Sequence, residues 1–102
     1  MRKGILDYCI LLIMSKKESV YTSEIIEELS RAELDVVEGT IYPLLSRMKN
    51  SGVLSYCWVE SPQGPPRKYY SITDSGRELL AEMETSWSEL LKSINYLKQN
   101  NQ

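Results

Sequence analysis

Two adjacent cations, Arg67 and Lys68, stand between a loop rich in proline and glycine and two adjacent tyrosines, in the stretch SPQGPPRKYYSIT at residues 61–73. Two further cations, Arg47 and Lys49, lie about twenty residues earlier in the chain. Arginine and lysine side chains bind phosphate groups by charge and by hydrogen bonding. If the fold brings these two regions together, the chain presents a site for a phosphate backbone.

The distribution of charge supports this hypothesis, although the chain as a whole is slightly acidic, with a net charge of −2. Residues 39–72 carry four cations against one acid, a balance of plus three. Residues 1–38 have a balance of minus three, and residues 73–102 of minus two. The positive charge is therefore local, and a phosphate backbone responds to local charge.

Several classes of protein are disfavoured by composition. The chain has no histidine, and its two cysteines, Cys9 and Cys57, are far apart in sequence. This excludes the usual zinc patterns and histidine-based catalysis, so we expect no enzyme, metal or cofactor. The apolar run after Arg2 is interrupted by Asp7 and is too short to span a bilayer. We therefore expect a cytoplasmic protein without a membrane partner.

Helical periodicity and capping residues predict the first half of the domain. Residues 4–15 are apolar nearly all the way round, which predicts a helix covered on every side, partly by a second subunit. A short helix follows with Thr22 as its predicted N-cap, and Tyr21 and Ile26 as a hydrophobic staple.

The next segment, GTIYPLLSRMKNSG, predicts a third helix that ends at Gly52. Pro43 fits its first turn if the helix begins near Thr40, but removes a backbone hydrogen bond if it begins at Glu38, so we expect an irregular start. The inward side of the helix is a stripe of apolar residues: Ile41, Leu44, Leu45 and Met48.

Alternating patterns predict two strands, in VLSYCWVE and RKYYSIT, joined by the loop SPQGPP as a hairpin. Tyr70 is expected to face the core with Ile72. A long helix should follow from Thr73, its N-cap, to about Lys98. Its apolar stripe has heptad spacing and consists of Met83, Trp87, Leu90, Ile94 and Leu97.

This order of elements predicts a mainly α fold with a two-stranded β-wing, a winged helix-turn-helix followed by a dimerisation helix. We place the DNA-binding part at residues 1–72 and the dimerisation helix at 73–102, packed as one compact unit. The third helix would enter the major groove of DNA.

The segments GTIYPLLSRMKNSGVL and GPPRKYYSITDSGRELL resemble the recognition helix and wing of the PadR family of bacterial transcription regulators. The resemblance extends over roughly residues 4–98, and SWSELLKSINYL is similar to the single dimerisation helix of the smaller members. It implies a homodimeric repressor that binds a pseudo-palindromic operator in double-stranded DNA. Val37 departs from the pattern, since a polar N-cap is common there.

Exposed positions and the resemblance together give a set of candidate DNA contacts, each with a structural alternative. Thr22 is either a cap or a phosphate ligand, and Thr40 is either a cap or a ligand of a phosphate or a base edge. Tyr42 either packs or contacts DNA, and Arg47 and Lys49 are either solvated or bound to phosphate. Tyr69 in the wing either packs or contacts DNA. The candidates are Thr22, Ser23, Thr40, Tyr42, Pro43, Arg47, Lys49, Arg67, Lys68 and Tyr69.

Trp87 has two interpretations. It is either an anchor of the dimer interface or, as the resemblance to multidrug-sensing members implies, one wall of a pocket for a small aromatic or apolar effector. The pocket would also contain Tyr8, Cys9, Leu12 and Leu91, and the dimer interface would consist of Ile5, Met83, Trp87, Leu90, Ile94 and Leu97. A winged-helix module that binds proteins instead of DNA is the main alternative function.

Overall fold

The computed structural model describes residues 2–100, and the side chains of residues 4–100. Residue 1 of the predicted DNA-binding part and residues 101–102 of the predicted dimerisation helix lie outside the described residues. The elements are α1 (Arg2–Met14), β1 (Val20–Tyr21), α2 (Thr22–Arg31), α3 (Glu38–Asn50), β2 (Leu54–Val59), β3 (Arg67–Ile72) and α4 (Asp74–Asn100). The predicted winged-helix architecture is confirmed.

The wing belongs to a sheet of three antiparallel strands in the order β1-β3-β2, one more strand than the sequence predicted. β1 pairs Val20 with Tyr70 and Tyr21 with Tyr69. Two residues are too few to show an alternating pattern, which is why this strand was missed. Its consequence is that the start of α2 is attached directly to the wing.

The core lies between α1, the helix-turn-helix and the sheet. Ile10, Leu11 and Met14 of α1 are fully buried, as are Ile41 and Leu45 of α3. Tyr70 is buried as predicted. The apolar α1 is therefore covered on the side of its own domain, whereas Ile5 near its start is exposed.

The start of α2 differs from the prediction by one residue. The N-cap is Tyr21, and Glu24 at the third helical position accepts a hydrogen bond from the Tyr21 backbone N–H at 2.9 Å. The prediction of Thr22 as N-cap is wrong, because Thr22 is the first helical residue and is only 4% exposed. The apolar pair flanking the cap consequently shifts to the buried residues Val20 and Ile25.

α3 begins at Glu38 with Val37 as its N-cap, which lacks a side chain that could cap the helix. Its start is irregular, as predicted, because the Thr40 N–H donates to the carbonyl of Val37, three residues back, at 3.0 Å. Pro43 lies inside the helix and leaves the Gly39 carbonyl without its usual donor. Both residues are exposed, so water can satisfy that carbonyl.

Thr73 joins three elements through one side chain and its own backbone. Its hydroxyl donates to the Gly52 carbonyl at the end of α3, at 2.7 Å, and accepts from the Gly76 N–H in the first turn of α4, at 3.0 Å. Its backbone N–H donates to the Val53 carbonyl at 3.2 Å. The predicted N-cap of α4 is confirmed, and the same residue also fixes the end of α3.

α4 lies very close to the start of the wing at this junction. A Cβ atom added at Gly76 would collide with the Val53 carbonyl oxygen and would lie 2.7 Å from Cγ1 of Ile72. Further along the helix, Leu80 is buried in the core and Met83 packs against it. The first three turns of α4 are therefore built into the winged helix itself.

We predict that Thr73→Val lowers the free energy of unfolding by about 2 kcal/mol, because it removes a helix cap and leaves the Gly52 carbonyl without its donor. Thr73→Ser keeps the hydroxyl and should cost less than about 1 kcal/mol. Chemical denaturation of the two variants provides the measurement. Equal stability of Thr73→Val and the unmodified protein would contradict the role assigned to this hydroxyl.

Candidate nucleic-acid interface

The outward side of α3 presents polar and aromatic groups that the core does not use. Thr40, Tyr42, Pro43 and Lys49 are exposed, and Tyr42 retains 50% of its accessible surface. These residues lie off the buried stripe, as the helical period predicted. The side chains of this face are therefore available to a binding partner.

Arg47 forms an ion pair with Asp7 of α1, a contact that the sequence analysis did not predict. Nη2 of its guanidinium lies 2.9 Å from Oδ1 and 3.2 Å from Oδ2 of Asp7 in α1. The Asp7 side chain is only 14% exposed, whereas that of Arg47 is 54% exposed. Contact between Arg47 and phosphate, as predicted, requires this ion pair to be shared or broken. In the free chain Arg47 connects α3 to α1.

The two cations of the wing lie on opposite faces of β3, as their adjacent positions require. The Cζ atom of Arg67 lies 4.9 Å from the ring centre of Tyr21, and Tyr21 in turn packs against Tyr69 with 5.6 Å between ring centres. Tyr69 is half-buried by this contact. The structure thus gives Tyr69 a packing role and leaves Arg67 at the surface.

Lys68 occupies the opposite face of the sheet, among aromatic rings. Its Nζ lies 4.0 Å from the ring centre of Tyr56, 5.5 Å from that of Tyr70 and 5.6 Å from that of Trp58. Lys49 of α3 approaches the same Tyr56 ring, with its Nζ 5.4 Å from the ring centre. Cation–π attraction restricts the motion of both lysine side chains.

A groove of about 330 Å³ separates α3 from the wing. Tyr42 and Ser46 line it from α3, and Arg67 and Lys68 line it from β3. The structure therefore brings together residues that the sequence separates by more than twenty positions. Phenolic, hydroxyl and cationic groups converge there, which is the chemistry required to bind a phosphate backbone.

The two hydroxyl residues at the start of α2 differ in accessibility. Ser23 is exposed, whereas Thr22 is buried and offers very little surface to a phosphate. We therefore remove Thr22 from the candidate contacts and retain Ser23. The difference follows from the one-residue shift of the helix start.

On the far side of the domain, Tyr8 of α1 stacks on Trp87 of α4 with 6.1 Å between ring centres and 17° between ring planes. An apolar hollow of about 460 Å³ lies beside this stack and is lined by Gly4, Leu79, Glu82, Met83, Ser86, Trp87 and Leu90. Of the five residues predicted to bind an effector, only Trp87 lines the hollow.

The other predicted effector contacts have different surroundings. Cys9 and Leu12 pack against the core, and Leu91 is exposed. Burial raises the pKa of the Cys9 thiol above its usual range, so that it remains protonated and behaves as a small apolar group. Cys9 and Leu12 therefore pack against the core and are not among the residues that line the hollow.

Much of the predicted dimerisation stripe is accessible in the single chain. Ile5, Ile94 and Leu97 are exposed, while Met83, Trp87 and Leu90 are partly covered. Of the 27 residues of α4, only Gly76 and Leu80 are buried. The second half of the helix thus carries an apolar face for which the described part of the chain supplies no cover.

Sequence reasoning missed three aromatic residues of the interface: Tyr21, Tyr56 and Trp58. The alternation in β2 did place Tyr56 and Trp58 on one face with Leu54, but only Leu54 is buried. The strand extends beyond the core, so residues of the same face pass from buried to exposed. The two-residue alternation of a strand indicates which face a side chain occupies, but it does not indicate how far the core extends along the strand.

The part of the chain that the structure describes contains neither a cluster of metal ligands nor a helix that could span a membrane. No three potential metal ligands among histidine, cysteine, aspartate and glutamate are clustered there. None of the helices within residues 2–100 has the length and apolar character needed to cross a membrane.

The arrangement of α2, α3 and the wing defines a winged-helix protein, and comparison with known proteins places it more narrowly. Residues 10–82 match the model of the transcriptional regulator PadR-like family. The match covers well over half of the chain, and the chain belongs to this family. Its members are transcriptional regulators, which agrees with the expected DNA-binding role.

Solved structures of similar proteins support the assignment. A PadR-like transcription factor from Bacteroides fragilis is 57% identical, with a TM-score of 0.85 over 95% of this chain and 93% of that protein. A PadR-like transcriptional regulator from Bacillus cereus is 41% identical, with a TM-score of 0.85 over 99% of this chain and 98% of the other. An uncharacterized protein from Lysinibacillus sphaericus is 30% identical and aligns over 91% of this chain and 87% of its own length.

The Asp7–Arg47 ion pair leads to a prediction about stability. Arg47→Ala should lower the free energy of unfolding by about 1–2 kcal/mol, because it leaves the largely buried Asp7 carboxylate without its partner. The double variant Asp7→Asn/Arg47→Ala should recover part of that loss. Denaturation of these two variants and of Asp7→Asn alone gives the coupling energy. A ten-fold loss of DNA affinity by Arg47→Ala at unchanged stability would instead assign Arg47 to phosphate.

Proposed function

We propose that this protein is a homodimeric transcriptional repressor that binds a pseudo-palindromic DNA operator and acts in the cytoplasm. The observation that carries the proposal is the groove between α3 and the wing, in which Tyr42, Ser46, Arg67 and Lys68 converge. The family assignment supplies the class of activity. Repression follows from occupancy, since a dimer bound across a promoter blocks the polymerase.

The proposed contacts divide between two elements. α3 enters the major groove with Thr40, Tyr42 and Pro43 toward the DNA, and Lys49 binds the adjoining backbone. The wing reaches the neighbouring backbone with Arg67 and Lys68, and Ser23 binds phosphate at the start of α2. The aromatic rings beside both wing cations support this arrangement, because they reduce the side-chain freedom that binding would otherwise remove.

The binding proposal is tested by replacing the two wing cations. Arg67→Ala/Lys68→Ala should weaken binding to the duplex upstream of the protein's own gene at least ten-fold at 0.1 M salt. It should also reduce the slope of log affinity against log salt by about 2, since two phosphate contacts are lost. Fluorescence anisotropy with labelled duplex, at several salt concentrations, measures both quantities.

The matched control, Arg77→Ala/Lys92→Ala, removes two cations of α4 that lie away from the groove. The DNA affinity of this variant and its salt slope should remain close to those of the unmodified protein. Two results would contradict the proposal. One is binding that does not depend on salt, and the other is equal affinity for every duplex at physiological salt. Either would favour a winged-helix module that binds proteins.

The dimer is proposed to form through α4 and the start of α1. Support comes from the exposed apolar residues Ile94 and Leu97, which continue the heptad stripe of Trp87 and Leu90. A flat apolar effector would enter the hollow beside Trp87. Because this hollow lies against α4, its occupation would alter the subunit arrangement and release a DNA site whose halves are about 34 Å apart.

The double variant Trp87→Ala/Leu90→Ala should weaken the dimer at least ten-fold, because it removes two large apolar side chains from the centre of the stripe. Tyr96→Ala is the matched control, since Tyr96 is exposed on the same helix but lies off the stripe. Sedimentation equilibrium across micromolar concentrations gives the dissociation constants. A monomeric unmodified protein at these concentrations would refute the dimer.

A further inference from the structure

Trp58 is a large aromatic residue that neither the core nor the dimer stripe explains. It lies on β2, is 62% exposed and stands opposite Lys68 in the strand register. A tryptophan so exposed leaves much apolar surface in water, which is unfavourable unless a partner covers it. Trp58 does not line the hollow beside Trp87.

The indole of Trp58 is oriented by its neighbours. Its ring meets that of Tyr56 edge to face, with 6.4 Å between ring centres and 87° between ring planes. Nζ of Lys68 lies 5.6 Å from the indole centre and 4.0 Å from the Tyr56 ring centre. The wing therefore presents a positioned aromatic surface directly beside a cation.

Trp58 also lines the groove between α3 and the wing, together with Tyr42 and Ser46. Trp58 also borders a second hollow, which is lined by Glu60, Pro65 and Pro66. Arg67 and Lys68 share the groove with the indole, whereas Glu60 shares the second hollow with it. A polyanion entering the groove would meet Lys68 and the indole together.

We propose that Trp58 is a further DNA-contacting residue, which packs on a deoxyribose of the backbone strand whose phosphate is bound by Lys68. The inference rests on the proposed DNA-binding function and specifies how the wing performs it. Bases within a duplex are stacked on one another, so the apolar surface that a backbone offers to an indole belongs to its sugars. Lys68 supplies charge to the phosphate, and Trp58 covers the adjoining sugar.

The affinity test separates an apolar contact from a charged one. Trp58→Ala should weaken operator binding roughly ten-fold, as expected when the apolar surface of one large side chain is no longer buried against the partner. It should leave the slope of log affinity against log salt unchanged, because no counterion-releasing group is removed, whereas Lys68→Ala should lower the slope by about 1. Val59→Ala is the matched control, since Val59 is the next residue of the same strand and occupies its opposite face.

Intrinsic fluorescence gives an independent readout, because the chain has two tryptophans. Saturating operator should shield Trp58 from acrylamide in the unmodified protein. In Trp58→Phe, which is expected to bind DNA through its remaining flat ring, the emission comes from Trp87 alone and should not respond to the duplex in this way.

The outcomes distinguish the inference from the function on which it rests. If anisotropy shows operator binding while acrylamide quenching is the same with and without DNA, Trp58 is not a contact and the DNA-binding proposal stands. The same conclusion follows if Trp58→Ala binds as tightly as Val59→Ala. If the unmodified protein binds no duplex, both the inference and the proposed function are refuted.

Discussion

The hydroxyl of Thr73 sets the relation between the recognition helix, the wing and the long terminal helix. It uses its single proton at the end of α3 and a lone pair at the beginning of α4. The close approach of Gly76 to the Val53 carbonyl leaves no room for these elements to slide past each other. Because the end of α3, the start of β2 and the start of α4 meet here, the parts proposed to face DNA and a second subunit share one rigid joint.

Aromatic rings hold the cations of the proposed interface in place. Arg67 lies over Tyr21, and Lys68 lies among three rings, so both side chains have fewer conformations to lose when they meet a phosphate. Arg47 shows the opposite use of a cation, since Asp7 holds it against α1. A net charge of −2 therefore conceals a chain whose cations have distinct structural environments.

Sequence patterns with a clear helical or strand period were enough to predict most of the fold. The stripe of α3, the alternation of β2 and β3, and the cap at Thr73 predicted those elements and the winged-helix order from local sequence. What could not be predicted depends on long-range contact: Asp7 and Arg47 are forty residues apart, and β1 exists only because Tyr70 is beside it. Thr22 was misplaced for the same reason, since pairing of Tyr21 with β3 decides where α2 begins.

The length of α4 gives the Thr73 joint a mechanical consequence. A helix of 27 residues extends for about 40 Å, and only its first turns are embedded in the core. Because the joint is rigid, a rotation of the whole winged helix by about 5° would displace the far end of α4 by roughly 3.5 Å, comparable to one base-pair step along a duplex axis. The length of α4 thus amplifies a small rotation of the winged helix into a larger displacement at the far end of the helix.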